Sequence, residues 1–188
     1  MNLKQLLQKN NNYGSSNPSY SSLGTDKESQ HSYITEFYEE HFAPFKNKSI
    51  NLLEIGANTG SSLCLWRDYF LNGRIFSVDV ENKLIPEMSN YPDVTVFFEN
   101  AYTLDFVKKL PDFDIIIDDG PHTENSQIDF INLYIKKVKP GGLMVIEDIQ
   151  NISSIEKFQA LVIGYETQVI DTREKYGVKD NIMFIVRC

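Results

Sequence analysis

An apolar run cut off by glycine, Leu52-Leu53-Glu54-Ile55-Gly56, constrains this chain more than any other feature. A second glycine follows at Gly60, and residues 61–66 behind it are compatible with a helix. The order reads as strand, glycine turn, helix. Glycine permits the sharp turn and lets a ligand approach bare backbone. The helix that follows aims its free N–H groups at whatever lies in the turn. Two nucleotide fingerprints do not fit. G-x-G-x-x-G would need glycines at Asn58 and Ser61, and the P-loop would need a lysine after Gly60.

The same alternation recurs along the chain. Residues 74–80 read as a buried strand ending in Asp79, about 20 residues beyond the glycine turn, where an acid can accept hydrogen bonds from ribose hydroxyls. Residues 94–98 form a third strand, with Asn100 and Ala101 just past its end. The fourth runs through Ile115-Ile116-Ile117 and exits on Asp118-Asp119-Gly120-Pro121-His122. The fifth, residues 143–149, carries Glu147 and Asp148 and follows a Lys139-Pro140-Gly141-Gly142 turn. Helices are expected at 60–70, 84–90, 102–110, 126–137 and 152–163, several of them stopped by prolines. Two last strands, near 169–170 and 182–186, are expected to close the sheet as an antiparallel pair. The alternation predicts an α/β chain: a Rossmann-like, doubly wound, mostly parallel seven-stranded sheet with helices on both faces, in a single domain. Ligands in such sheets bind at the carboxyl ends of the strands. Gly56, Asp79, Asn100, Asp118, Asp119, His122, Glu147 and Asp148 all fall there.

Carboxylates from the fourth and fifth strands would share one crevice, where they repel unless a proton or a cation intervenes. Asp119, Glu147 and Asp148 offer the hard oxygen ligands that Mg²⁺ prefers. His122 has an intrinsic basicity suited to taking a proton near neutral pH.

The apolar-apolar-Glu-apolar-Gly-x-x-x-Gly pattern resembles the first motif of class I S-adenosylmethionine (SAM)-dependent methyltransferases. The Lys-Pro-Gly-Gly run before the fifth strand is similar to theirs. Farther upstream, Gly24-Thr25-Asp26-Lys27, then His31 and Tyr33, then Tyr38-Glu39 and Phe42, resembles the opening segment of sugar O-methyltransferases that act on glycosylated natural products such as macrolides. The resemblance covers roughly residues 23–148. It implies SAM as cofactor, with Glu54, Gly56, Asn58 and Gly60 in the motif that holds its methionine part. It implies Asp79 at the ribose, Asn100 and Ala101 beside the adenine, Asp118 facing the cofactor, and Lys27 at the cofactor carboxylate. It also implies Mg²⁺ held by Asp119, Glu147 and Asp148, with His122 as general base and Asp119 as its catalytic partner. The expected activity is methylation of a hydroxyl on a sugar or similar polyol. Two rival readings stay open: a metal-independent methyltransferase of another small molecule, and a non-catalytic SAM-binding module. For Lys27 the alternative is a capped helix start with Thr25 or Asp26 as N-cap.

Charge bears on partners. With 26 acidic against 18 basic residues the formal net charge is -8, which disfavours a nucleic-acid backbone. No apolar run approaches membrane-spanning length, and no apolar leader is visible at the N-terminus. Cys64 and Cys188 alone make neither a disulfide framework nor a C-x-x-C metal pattern, so a cytoplasmic setting is expected. The expected partner is a small-molecule acceptor, with a homo-oligomer kept open. Residues 1–22, rich in Asn, Ser, Gln and Tyr, read as a flexible lead-in to a methyltransferase domain at 23–188, with Leu3, Leu6 and Leu7 able to form one amphipathic turn. Tyr33, Phe37, Tyr38 and Phe42 predict one amphipathic helix ahead of the first strand. His31 and His41 are expected to be surface or packing residues.

Overall fold

Strand β1 (Asn51–Ile55) is buried at every position, as a strand covered on both faces must be. In the computed structural model, which describes residues 1–9 and 25–188, it lies inside a seven-stranded sheet. The other strands are β2 (Arg74–Asp79), β3 (Val94–Phe98), β4 (Phe113–Asp118), β5 (Val138–Ile146), β6 (Glu166–Asp171) and β7 (Ile182–Arg187). Their order across the sheet is β3-β2-β1-β4-β5-β7-β6. The first five run parallel. β7 pairs antiparallel with both β5 and β6. The chain winds outward from β1 to β2 and β3, then crosses to β4 on the other side. The strand order therefore reverses between β1 and β4, where a crevice opens beyond the carboxyl ends.

Side chains alternate across the sheet with the period of two that a strand imposes. Leu52, Ile115, Ile117 and Val145 enter one core, and Leu53, Ile55, Ile116 and Ile146 enter the other. Helices α1 (Leu3–Lys9), α2 (Asp26–Ser29), α3 (Glu39–Phe42) and α4 (Ser61–Tyr69) precede α5 (Leu104–Val107), α6 (Glu124–Tyr134), α7 (Ser154–Leu161) and α8 (Arg173–Tyr176). The first core takes α1, α3 and α4, with Trp66 packed against the rings of Tyr38 and Phe42. The second takes α5, α6 and α7.

Two expectations change. Leu3, Leu6 and Leu7 are buried in the first core, so residues 3–9 belong to the domain rather than to a flexible lead-in. Apolar contact outweighs the polar composition around them. Residues 10–24, which hold the rest of that lead-in with Leu23 and Gly24, lie outside the described residues. The helix expected from Tyr33, Phe37, Tyr38 and Phe42 forms ahead of β1, with residues 33–42 helical throughout. α2 ends at Ser29, Ser32 adopts a left-handed φ of 57°, and a π-helical turn (Ile34–Tyr38) follows before α3. Side chains on both sides of Ser32 reach the buried acids after β4 and β5: Lys27 before it, Tyr33 and Tyr38 after it. Finally, Lys139-Pro140-Gly141-Gly142 lies within β5, where the register against β4 shifts between Phe113 and Ile115.

Candidate active site

Backbone hydrogen bonds carry three strand exits past the ends of their strands side by side. Gly56 N donates to Val78 O at 2.9 Å, Asp119 N to Ile55 O at 3.0 Å, and Glu147 N to Asp118 O at 3.1 Å. Gly56 has a φ of 93°, and a Cβ there would collide with the Asp119 carbonyl. Only glycine lets the β1 exit lie this close to the β4 exit. Gly60, also left-handed, caps α4, and a side chain on it would strike Met88 and Leu84.

Between these exits lies a cavity of about 740 Å³, in the range of small-molecule sites. Gly56, Asn58, Asp79, Asn100, Ala101, Asp119, His122 and Asp148 line it. Asp79 is aimed back over the glycine loop: its Oδ2 accepts from Asn58 N at 2.8 Å and its Oδ1 from Glu81 N at 3.0 Å. Asn100 is fixed by Tyr102 N, which donates to its Oδ1 at 2.9 Å.

Four residues expected at the cofactor lie behind the wall instead. Gly60 acts through the loop packing just described. Glu54 is buried and accepts from Trp66 Nε1 at 2.6 Å. Asp118 is buried and accepts from the Tyr102 hydroxyl at 2.7 Å. Lys27 is 1% exposed, and its Nζ is paired with Asp119 Oδ2 at 2.6 Å, Glu54 Oε1 at 3.2 Å and Glu147 Oε2. The helix-start alternative also holds here, since Thr25 is the N-cap and accepts from Lys27 N. An ammonium with three carboxylates around it does not reach the cavity, so Lys27 is a counter-charge beneath the site.

Glu147, expected as a metal ligand, is drawn away by the same cluster. It is 1% exposed, pairs with Lys27, and accepts from the Tyr38 hydroxyl at 2.6 Å. Among the described residues, the group whose ligand atoms do lie within 4.8 Å of one another is Asp119, His122 and Asp148. His122 Nε2 stands 3.8 Å from both Asp119 Oδ1 and Asp148 Oδ2, too far for direct hydrogen bonds. His122 and Asp148 adopt left-handed φ values of 58° and 54°. Such backbone strain at non-glycine residues is concentrated at functional sites. His122 Nδ1 is buried without a hydrogen-bond partner among the described residues. Two hard oxygens, Asp119 Oδ1 and Asp148 Oδ2, with the His122 imidazole beside them, fit a divalent ion.

The electrostatics follow from burial. Burial alone would lower the Lys27 ammonium's pKa, but Asp119, Glu147 and Glu54 outweigh it and hold it well above the usual lysine range. Burial pushes the carboxyls of Glu54, Glu147 and Asp148 upward, with Asp119 adding repulsion to each. Asp118 is pushed up to about 7, chiefly by burial. A carboxyl raised in the folded state contributes stability that is fully present below its unfolded pKa and is lost as pH rises through the folded value. For Asp118 that window runs from about 4 to about 7. The thermal midpoint should therefore fall as pH rises across it. Asp118→Asn should flatten part of that fall, measured by thermal melts at several pH values.

His31, expected at the surface or in packing, sits at the acids instead. It is 3% exposed, with Nδ1 facing Asp148 Oδ1 at 3.4 Å. Tyr33 also reaches this acid, its hydroxyl donating to Asp148 Oδ1 at 2.7 Å. Gln127, which no sequence feature marks, donates to the Glu147 carbonyl. The signal for the first two was the His-x-Tyr order behind the Gly-Thr-Asp-Lys stretch; nothing local marked Gln127.

A doubly wound sheet with a glycine bend, an acid after β2 and a charged group after β4 and β5 defines a nucleoside-cofactor-binding class of α/β domain. A family model described as a methyltransferase domain matches residues 53–149, and the chain belongs to that family. Among curated relatives, the 8-demethyl-8-alpha-L-rhamnosyl tetracenomycin-C 2'-O-methyltransferase of Streptomyces olivaceus is 33% identical over 68% of this chain and 35% of its own length. The demethylmacrocin O-methyltransferase of Streptomyces fradiae is 31% identical over 62% of this chain and 32% of its own. The chain thus spans about a third of the length of these relatives. Among solved structures, the MycE methyltransferase from the mycinamycin biosynthetic pathway, in complex with Mg, SAH and mycinamycin VI, superposes with a TM-score of 0.62. Its identity is 25%, over 79% of this chain and 37% of MycE. Among the described residues no helix is long and apolar enough to cross a membrane.

Proposed function

We propose that this chain carries the catalytic unit of a SAM-dependent, Mg²⁺-assisted O-methyltransferase that methylates a hydroxyl of a sugar or similar polyol. The observation that carries the reading is that Asp79 and His122 line the same cavity. A ribose-facing acid and a base are then within reach of one bound cofactor. The relatives' names and the MycE complex support the acceptor class and the metal.

When bound, SAM supplies an electrophilic sulfonium methyl, and Mg²⁺ polarises an oxygen that it contacts. The chain's own residues do the rest. Asp79 accepts hydrogen bonds from the ribose, and Asn100 and Ala101 flank the base. The bare backbone at Gly56 and Asn58 receives the amino-acid end. The acidic wall favours a cationic donor over a neutral product. Asp119 and Asp148 would hold the ion through their cavity-facing carboxylate oxygens. His122 would take the proton of the acceptor hydroxyl as that oxygen accepts the methyl group. Asp119 and Asp148 steady the resulting imidazolium.

One observation favours a second reading. The Lys27 ammonium already neutralises part of the Asp119 and Glu147 charge, so a metal-free methyltransferase also fits. Calorimetric titration with SAM and with NAD tests the cofactor: SAM should bind and NAD should not, and the reverse would overturn the assignment. Turnover on a glycosylated acceptor should fall when EDTA is added and return with Mg²⁺. Turnover indifferent to both would select the metal-free reading.

A further inference from the structure

Glu147 and Asp148 are adjacent acids at one strand end, yet they point to different places, and the segment ahead of β1 sorts them. Tyr38 donates to Glu147 Oε1 at 2.6 Å, and Lys27 pairs with the same carboxylate. Tyr33 donates to Asp148 Oδ1 at 2.7 Å, and His31 faces that oxygen at 3.4 Å. His31 and Tyr33 stack, their ring centroids 5.0 Å apart, so each braces the other. Both are nearly without exposure. With Oδ1 taken from behind, Asp148 presents Oδ2 to the cavity and to His122.

A carboxylate can rotate about its terminal bond and take either oxygen to either side. A buried phenol donor on one oxygen stops that rotation. Asp148 also has a left-handed backbone, a conformation that persists only where the surroundings hold it. Its orientation must come from outside its own strand.

We propose that Tyr33, backed by His31, is a positioning residue that aims Asp148 Oδ2 into the cavity as an ion ligand, while Tyr38 and Lys27 hold the neighbouring Glu147 out of it. The proposal rests on the ion-binding reading of the site. Residues that hold a metal-ligating carboxylate from behind typically change metal affinity by about 10- to 100-fold when altered. Removing the Tyr33 hydroxyl keeps the ring, its stacking on His31 and its packing. Affinity should change while the fold stays intact.

The test is calorimetric titration of Mn²⁺ into the parent chain and into Tyr33→Phe, Tyr38→Phe and Asp148→Asn, with a thermal melt of each. The parent should bind, and Asp148→Asn should lose binding. Tyr33→Phe should bind roughly 10- to 100-fold more weakly with a midpoint close to the parent's. Tyr38→Phe should lower the midpoint and leave Mn²⁺ affinity nearly unchanged. If the parent and Asp148→Asn bind alike, the ion-binding reading falls and the proposal falls with it. If Asp148→Asn loses binding while Tyr33→Phe keeps the parent affinity, the positioning role alone is overturned. Tyr33→Phe and Tyr38→Phe weakening Mn²⁺ equally would also overturn it, because the two tyrosines would then not sort the acids.

Discussion

Lys27→Met is expected to remove about 3–5 kcal/mol of stability, seen as a fall in the thermal midpoint of roughly 6–20 °C for a chain of this size. The ammonium is 1% exposed and pairs with Glu54, Asp119 and Glu147, two of which have almost no contact with water. Its desolvation is offset by three negative partners, and theirs by one positive charge. Methionine fills a similar volume but leaves the carboxylates facing one another in a low-dielectric interior, where each must take up a proton or open the structure. The loss should grow with pH, because protonated carboxyls at low pH repel less. Adding Glu147→Gln to Lys27→Met should restore part of the midpoint by removing one of the stranded charges. A single variant as stable as the parent would show that Lys27 is not the counter-charge of this cluster.

His122→Ala is expected to lower the turnover of a sugar acceptor by about 10²- to 10⁴-fold, the usual contribution of a positioned general base, with SAM affinity unchanged. The ring lies on the cavity wall beside Asp119 and Asp148 and has no hydrogen bond to another described residue. Its loss should therefore be felt in the chemical step rather than in folding. Calorimetry with SAM and single-turnover kinetics separate the two effects. Turnover close to the parent's would assign the proton to another acceptor. A parallel loss of SAM binding would make His122 a cofactor contact instead.

The difference between these two residues marks where the sequence was legible. His122, Asp119 and Asp148 were found because each follows a strand that announces itself by an unbroken apolar run. A parallel sheet brings all strand ends to one rim. Asp79 and Asn100 were found in the same way. Lys27 and Glu147 were also singled out, but their roles were not. Their charges looked available for ligand and metal, and nothing in the order of residues says that the two pair with each other across 120 positions. His31 and Tyr33 sit in a segment whose helical period is interrupted at Ser32. The period alone assigned Tyr33 to packing and left His31 on the surface.

The chain's residue order alone determined the strand–helix alternation, the sheet it builds and the rim at which ligand-bearing residues collect, because hydrophobic period and glycine placement are local properties. Which carboxylate faces the cavity was decided only by the tertiary structure. The energy of a buried charge depends on what lies within a few ångströms of it, and at this site those neighbours come from the segment ahead of β1, far away along the chain.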